Sequence, residues 1–253
     1  MTGPKVDRVI LKNMKVICAG LSKTGTKSIA KALQVLGFSV FDFTAHVTIH
    51  HDEWVAIYRQ GRTPDFLSMY KDVDAVTDLP AAIWYDEIHQ TFPDAKVILS
   101  VRDNEDVWLR SWVEAKLALL RRGGFFERMI WRYIIPHTQG LDVPFFDDIA
   151  MAAYGTLRPE SSVLHKKKYR EHNERVQAVI PKEKLLIFNV KQGWKPLCEF
   201  LGCKIPDQEF PRQNVKGEGA KWVNCMISDA IRKLFVISAV FTFLLSVFCV
   251  IFF

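Results

Sequence analysis

"MKVICAGLSKTGTKSIAKALQVLGF", residues 14–38, decides the fold class of this 253-residue chain. Its opening residues, 14–20, are mostly apolar and read as a short buried strand that runs straight into a glycine-containing turn. The turn starts a helix in which Ile29, Leu33 and Leu36 recur at helical spacing, and Gly37 stands where a C-cap glycine belongs. "SVFDF", residues 39–43, reads as the next strand, so the segment has the order of a βαβ unit. That order predicts an α/β fold with a mostly parallel sheet. In such a sheet, ligand-binding groups gather outside the carboxyl ends of the strands.

Downstream, two further strand ends carry chemistry. "DAVTDLP", 74–80, ends a short strand at a polar residue, and Pro80 can start the helix "AAIWYDEIHQTF". "AKVILSVRD", 95–103, delivers Arg102 and Asp103 just before the helix "NEDVWLRSWVEAKLALLRR". Lys23, Asp78 and Arg102, distant in sequence, are therefore expected to converge at one edge of the sheet. Residues 46–72 read as partly helical, with His46, His50 and His51 expected at the surface or in local bonds. Residues 125–180 read as mainly helical, interrupted by Pro136, Gly140 and Pro144. "KLLIFNV", 184–190, is a late strand, and "KPLCEFLG", 195–202, a short helix closed by Gly202. Trp84, Trp108, Trp112 and Trp131 are expected to be core or pocket walls.

Composition narrows the class further. The last twenty residues, 234–253, carry no charge, and seventeen of them are apolar. This meets the criterion of roughly 20 apolar residues for one membrane-crossing helix. The chain accordingly divides into an α/β domain at 1–222, a basic juxtamembrane linker at 223–233 and a transmembrane helix at 234–253. Arg232 and Lys233 place the linker on the cytoplasmic side, so the folded part is expected to face the cytosol on a C-terminal tail anchor. A buried hydrophobic C-terminal helix is the competing reading. Six Phe and no polar face weigh against it. The net charge of +6 is local: residues 1–157 hold 18 basic and 19 acidic groups, and residues 158–233 hold 16 and 9. Such an excess suits a phosphate-bearing ligand or an anionic lipid surface. No nucleic-acid-binding pattern is present, and the run Lys166-Lys167-Lys168 reads as a solvated helical face. Five cysteines without a paired spacing imply neither a disulfide framework nor a metal site.

The glycine loop itself, "GLSKTGTKS" at Gly20–Ser28, has the parts of an anion site. Consecutive backbone N–H groups and a helix N-terminus supply oriented positive partial charge, and a lysine adds a full one. Lys23, Thr24, Thr26 and Lys27 all offer donors. The loop lacks the Gly-Lys-[Ser/Thr] ending of nucleoside triphosphatases, because Thr26 follows Gly25, and it lacks the spacing of G-x-G-x-x-G. A purely structural glycine turn is the plain alternative.

These residues resemble the P-loop sulfotransferases, in particular the branch with a loop of the type G-x-[GS]-[RK]-T-G-T-x-S. Three further segments agree in order: "TDLPAAIWYDEI" at 77–88, "FPDAKVILSVRDNEDVWLRSW" at 92–112 and "GWKPLCEFLGCKIPDQEFPRQN" at 193–214. The resemblance implies a P-loop-type three-layer α/β fold and a cosubstrate, 3'-phosphoadenosine 5'-phosphosulfate. The sulfuryl group of that donor moves in line to a hydroxyl or amine, with no metal required. Ser22, Lys23, Thr24, Gly25, Thr26, Lys27 and Ser28 then form the 5'-phosphosulfate cradle, with Lys23 offsetting charge on the bridging oxygen. Arg102 corresponds to the strand-end arginine for the 3'-phosphate; its companion is Ser111, one position beyond the family spacing, where Arg110 stands. An ion pair of Arg102 with Asp103 or Asp106 stays open. Lys216 and Gly217, in "NVKGEGAKW", correspond to the late segment that closes over the 3'-phosphate, or belong to a linker. Asp78 stands where related enzymes carry a histidine and is the candidate general base; a helix N-cap is its other reading. The acceptor expected is a small molecule or a lipid. A nucleotide kinase or nucleoside triphosphatase is the rival enzyme class, and a non-catalytic membrane-anchored adaptor the rival outside enzymes.

Overall fold

A computed structural model describes residues 14–120, 142–213 and 228–240, together with positions 129, 133 and 242. Its strands are β1 (Val16–Cys18), β2 (Val40–Phe41), β3 (Ala75–Val76), β4 (Lys96–Ser100) and β5 (Leu185–Phe188). They form one parallel sheet in the order β2-β3-β1-β4-β5. The chain steps from β1 to one side of the sheet, returns through β3, and then crosses to β4. The change of direction thus falls at β1, the strand that feeds the glycine loop, which is where open α/β sheets leave a crevice.

The helices are α1 (Thr26–Val35), α2 (Phe43–Thr48), α3 (His51–Gln60), α4 (Phe66–Met69), α5 (Tyr85–Thr91), α6 (Glu105–Leu120), α7 (Val143–Tyr154), α8 (Ser162–Val179) and α9 (Trp194–Leu201). Strand alternation sends residues to two cores. Val16, Cys18, Ala75 and Ile98 pack with Ile29 and Leu33 of α1 and Trp194 and Leu197 of α9. Ile17, Val76, Val97 and Leu99 pack on the other face with Ile88, Trp108, Tyr169 and Val176 of α5, α6 and α8. Both faces are covered, which is why 96–100 reads as one apolar run rather than an alternating one. Each fully buried Ile or Leu of α1 contributes roughly 1.5–3 kcal/mol of the force that seats the helix behind the loop.

Several local expectations change. The stretch 46–72 resolves into α2, α3 and α4, the first begun by Asp42, whose side chain accepts from the N–H groups of Thr44 and Ala45. His46 is not at the surface: it is fully buried against Trp54 and Tyr70, and desolvation pushes its pKa down to about 3. Pro144 does not interrupt a helix but sits in the first turn of α7, where a missing N–H removes no bond. The helix after Pro80 begins as a 3-10 turn at Ala81–Ile83 and becomes α5 at Tyr85.

Residues 228–240 are helical, with Ala230 in the main core and Phe235, Val236, Ile237 and Val240 exposed. Among the described residues no helix is long and apolar enough to cross a membrane. Most of the segment expected to do so, 241 and 243–253, lies outside the described residues, as do Trp131, Lys216 and Gly217.

Candidate active site

The loop between β1 and α1 is held by its carbonyl oxygens. His172 Nε2 lies 2.6 Å from the Ala19 oxygen, and since a carbonyl only accepts, that nitrogen carries the proton. Thr24 Oγ1 donates to the Leu21 oxygen at 2.7 Å, Trp108 Nε1 to that of Ser22 at 3.1 Å, and Arg102 Nε to that of Lys23 at 2.6 Å. With these carbonyls engaged, the loop's N–H groups are left over. Among the described residues no hydrogen bond occupies the N–H of Lys23, Gly25, Thr26, Lys27 or Ser28. The last three belong to the first turn of α1, whose donors have no partner within the helix, and Gly25 caps it without a side-chain bond. A row of unspent donors at a helix N-terminus is an anion site.

Two glycines make this path possible. A Cβ on Gly20 would lie 1.9 Å from Ser100 Oγ and 2.7 Å from the Ser100 carbonyl oxygen. Gly25 has φ +105° and a Cβ there would meet Val190 Cγ1 at 2.5 Å. Thr24, one residue earlier, turns inward; it is fully buried and shares a 2.5 Å hydrogen bond with Ser100 Oγ. Because Thr24 has spent its hydrogen on Leu21, Ser100 is the donor in that pair.

Asp78 brackets the loop from the end of β3. Its Oδ1 accepts from Ser22 Oγ at 2.5 Å and from the Leu79 N–H at 2.9 Å, and its Oδ2 accepts from Thr26 Oγ1 at 2.6 Å. The carboxylate is therefore a clamp on both arms of the loop, and the helix-cap reading does not describe it. Lys23 and Asp78 are the two non-glycine residues with left-handed backbone among those described, φ 74° and 68°. Such conformations cost about 1–2 kcal/mol each and persist where the surroundings impose them. Desolvation lowers the Lys23 pKa, Arg102 lowers it further, and Asp78 opposes both. The three residues thus sense one another, as expected from their strand ends.

Arg102 is not paired with Asp103 or Asp106; those carboxylates pair with Lys191 and Lys166. Its backbone N–H donates to Tyr169 Oη at 3.1 Å, and Tyr169 stacks on Trp108 at 4.3 Å between ring centroids. Tyr154, the last residue of α7, is buried against Trp108 and Trp112. Desolvation raises its pKa, Ser22 lowers it and the charge of Asp78 raises it, the last two being smaller effects. Phe146, near the start of α7, meets Phe43 of α2. Helix α7 therefore runs across the carboxyl edge of the sheet from β2 to the loop.

The remaining expected residues divide. Ser28 Oγ accepts from the N–H of Gln213, which brings the chain back beside the loop three positions before Lys216. Lys27 turns away from the loop to Asp42, at 2.5 Å, so its ammonium is already paired. Ser111 is half-buried on α6 and no bond ties it to Arg102, while Arg110 is exposed. Trp108, expected as a core or pocket wall, is buried and holds the loop, while Tyr154, Tyr169 and His172 support the site without any local sequence signal. Two surface cavities of about 180 and 280 Å³ lie around α3, α4 and α5, and none of the loop residues lines them. Among the described residues no cluster of His, Cys, Asp or Glu is arranged to hold a metal ion.

Comparison with known proteins agrees with this geometry. Residues 15–219 match the model of the sulfotransferase domain. The chain belongs to the sulfotransferase family. It is also 30% identical over 223 residues to "Ava biosynthesis cluster protein M" of Aspergillus versicolor, covering 78% of this chain and 80% of that protein. The matched span of this sulfotransferase runs from β1 past α9 and contains the loop, Asp78 and Arg102.

Proposed function

We propose that this chain transfers the sulfuryl group of 3'-phosphoadenosine 5'-phosphosulfate to a hydroxyl or amine of a small molecule or lipid. The observation that carries the reading is the set of unspent N–H groups at Lys23 and Gly25–Ser28, flanked by a lysine ammonium and a carboxylate. The donor, when bound, supplies an activated sulfuryl group attached to a phosphate. The N–H groups and Lys23 hold that anionic end. Lys23 offsets charge that grows on the bridging oxygen, an interaction stronger in the transition state than before it and so one that raises the rate.

Arg102 has committed Nε to the Lys23 carbonyl, which leaves its terminal nitrogens for the 3'-phosphate. Lys216 and Gly217, which lie outside the described residues, are assigned to the same phosphate from their sequence alone. Asp78 takes the acceptor's proton: Oδ1 accepts two hydrogens and Oδ2 one, so about one lone-pair site remains, on Oδ2. Thr24 and Lys27 act through the shape of the loop and through Asp42 rather than as direct ligands. The similarity to a protein named for a biosynthesis cluster supports a small-molecule acceptor.

A nucleotide kinase of this loop class would carry Lys and Ser or Thr directly after the last loop glycine, whereas Thr26 follows Gly25. Isothermal titration separates the classes. Adenosine 3',5'-bisphosphate is expected to bind, and Lys23→Ala and Arg102→Ala to weaken it by about tenfold or more, as loss of a hydrogen bond to a charged group does. Binding of ATP with Mg²⁺ and none of the bisphosphate would sink the proposal. Bisphosphate binding without sulfation of any alcohol, phenol or amine in a broad panel would point to the adaptor.

A further inference from the structure

The hydroxyls of Ser22 and Thr26 both donate to one carboxylate, although both sit on the loop that presents donors to the anion. A hydroxyl has one hydrogen. While Asp78 is ionised that hydrogen is spent, and each hydroxyl oxygen turns lone pairs, not a donor, toward its other neighbours. Thr26 is the first residue of α1, so its hydroxyl lies beside its own unspent N–H.

We infer that Ser22 and Thr26 are proton-coupled donors, hydroxyls that leave Asp78 for the departing phosphate as the acceptor proton arrives on the carboxylate. The inference rests on the sulfuryl-transfer reading above. In the step itself, a bond forms between the acceptor oxygen and sulfur as the bond from sulfur to the phosphate oxygen breaks. The electron pair of the broken bond stays on the phosphate, and the acceptor's proton passes to Asp78 Oδ2. Protonation at Oδ2 makes that oxygen a donor and leaves Oδ1 an uncharged, weaker acceptor, so the hydrogen of Thr26 is released and that of Ser22 is loosened. They turn to the phosphate when its charge has grown. Two hydrogen bonds are thus made late in the reaction and not in the ground state, the condition under which a donor contributes to rate. Among the described residues, the titratable groups that register the charge of Asp78 are Lys23 of the loop and Tyr154 of α7, with Arg102 acting on Lys23. None of them offers the carboxylate a shorter donor than the two hydroxyls do.

A binding cycle tests this without turnover. Asp78→Asn removes the charge and replaces one acceptor oxygen with an NH2 group, which releases the hydroxyl on that side. It is expected to tighten adenosine 3',5'-bisphosphate by about tenfold, through charge removal and hydroxyl release together, and the cycle below separates the two. Thr26→Val with Ser22→Ala is expected to erase most of the D78N gain when combined with it. Thr26→Ser, which keeps the hydroxyl, is expected to preserve the gain. A D78N gain that persists undiminished in the absence of both hydroxyls would be a pure charge effect and would overturn the inference while leaving the sulfotransferase reading standing. Absence of bisphosphate binding to the unaltered protein would overturn both. Should D78N fail to fold, Asp78→Ala gives the same cycle, since it too is neutral, and it frees both hydroxyls.

Discussion

Lys23 is the residue on which the chemistry turns, and its environment gives it a readable signature. Burial and Arg102 lower its pKa against the pull of Asp78, so the ammonium loses its proton below the ordinary lysine value of 10.5. Because the charged form is the active one, the rate is high at lower pH and falls as pH rises through that lowered value. Release of bisphosphate followed against pH is expected to show an alkaline limb below 10.5. Lys23→Arg, which stays charged, should move the limb upward at a reduced plateau, and Lys23→Met should lower the plateau by roughly 10²–10³-fold. An unchanged limb in K23R would assign it to another group. Lys23, Asp78 and Arg102 were legible in the sequence because each is a polar residue at the end of an apolar strand, and topology puts strand ends together. The residues that hold them were not. His172 reaches the loop from 153 positions away and Tyr169 through Arg102 and Trp108, and nothing in their own neighbourhoods marks them; Trp108 was legible only as a buried wall, not as the donor to Ser22. His46 was misplaced for the same reason: only packing of α2 against Trp54 and Tyr70 buries it.

At the scale of the element, the loop's path depends on how closely β1 and β4 approach. Gly20 lies against the Ser100 backbone, so Gly20→Ala must push strand β4 aside, at a cost of about 1–3 kcal/mol. Gly25→Ala meets the tip of a side chain, Val190, and in addition carries left-handed strain of about 1–2 kcal/mol. The two are distinguishable by thermal denaturation. Val190→Ala is expected to recover part of the stability lost in G25A and none of that lost in G20A; equal recovery in both would mean that the contacts are misassigned. The strands and α1 were legible because their periodicity is local and strong. Helix α7 was legible only as a helix. Its place across the sheet edge follows from Phe146 meeting Phe43 and from Tyr154 meeting Trp108, pairings that no spacing within α7 encodes.

For the whole molecule, two features would compete as a means of membrane attachment, surface charge and the apolar segment 234–253. The excess of basic residues beyond position 157 first suggests a charged surface for anionic lipid. The fold spends much of it internally: on α8, Lys166 pairs with Asp106, Lys167 and Lys168 with Glu171, Arg170 with Glu105, and Arg175 with Asp86. Exposed pairs of this kind contribute little stability, about 0–1 kcal/mol each, but they leave that face nearly neutral. We therefore propose that membrane attachment rests on the apolar segment 234–253 and not on α8. The described part of that segment points the same way, since Phe235, Val236 and Ile237 expose more than half of their surface. The full chain, expressed in cells, is expected to sediment with membranes and to resist alkaline carbonate. Deletion of 234–253 should release it to the soluble fraction with bisphosphate affinity unchanged within about twofold, because every residue assigned to the site precedes position 218. Charge reversal at Lys166, Lys167 and Lys168 should leave the full chain on the membrane. If carbonate strips the full chain, the attachment is peripheral. If the deletion abolishes cooperative unfolding, the segment is a buried helix of the fold, and Ala230, already inside the main core, would mark where that helix begins to dock.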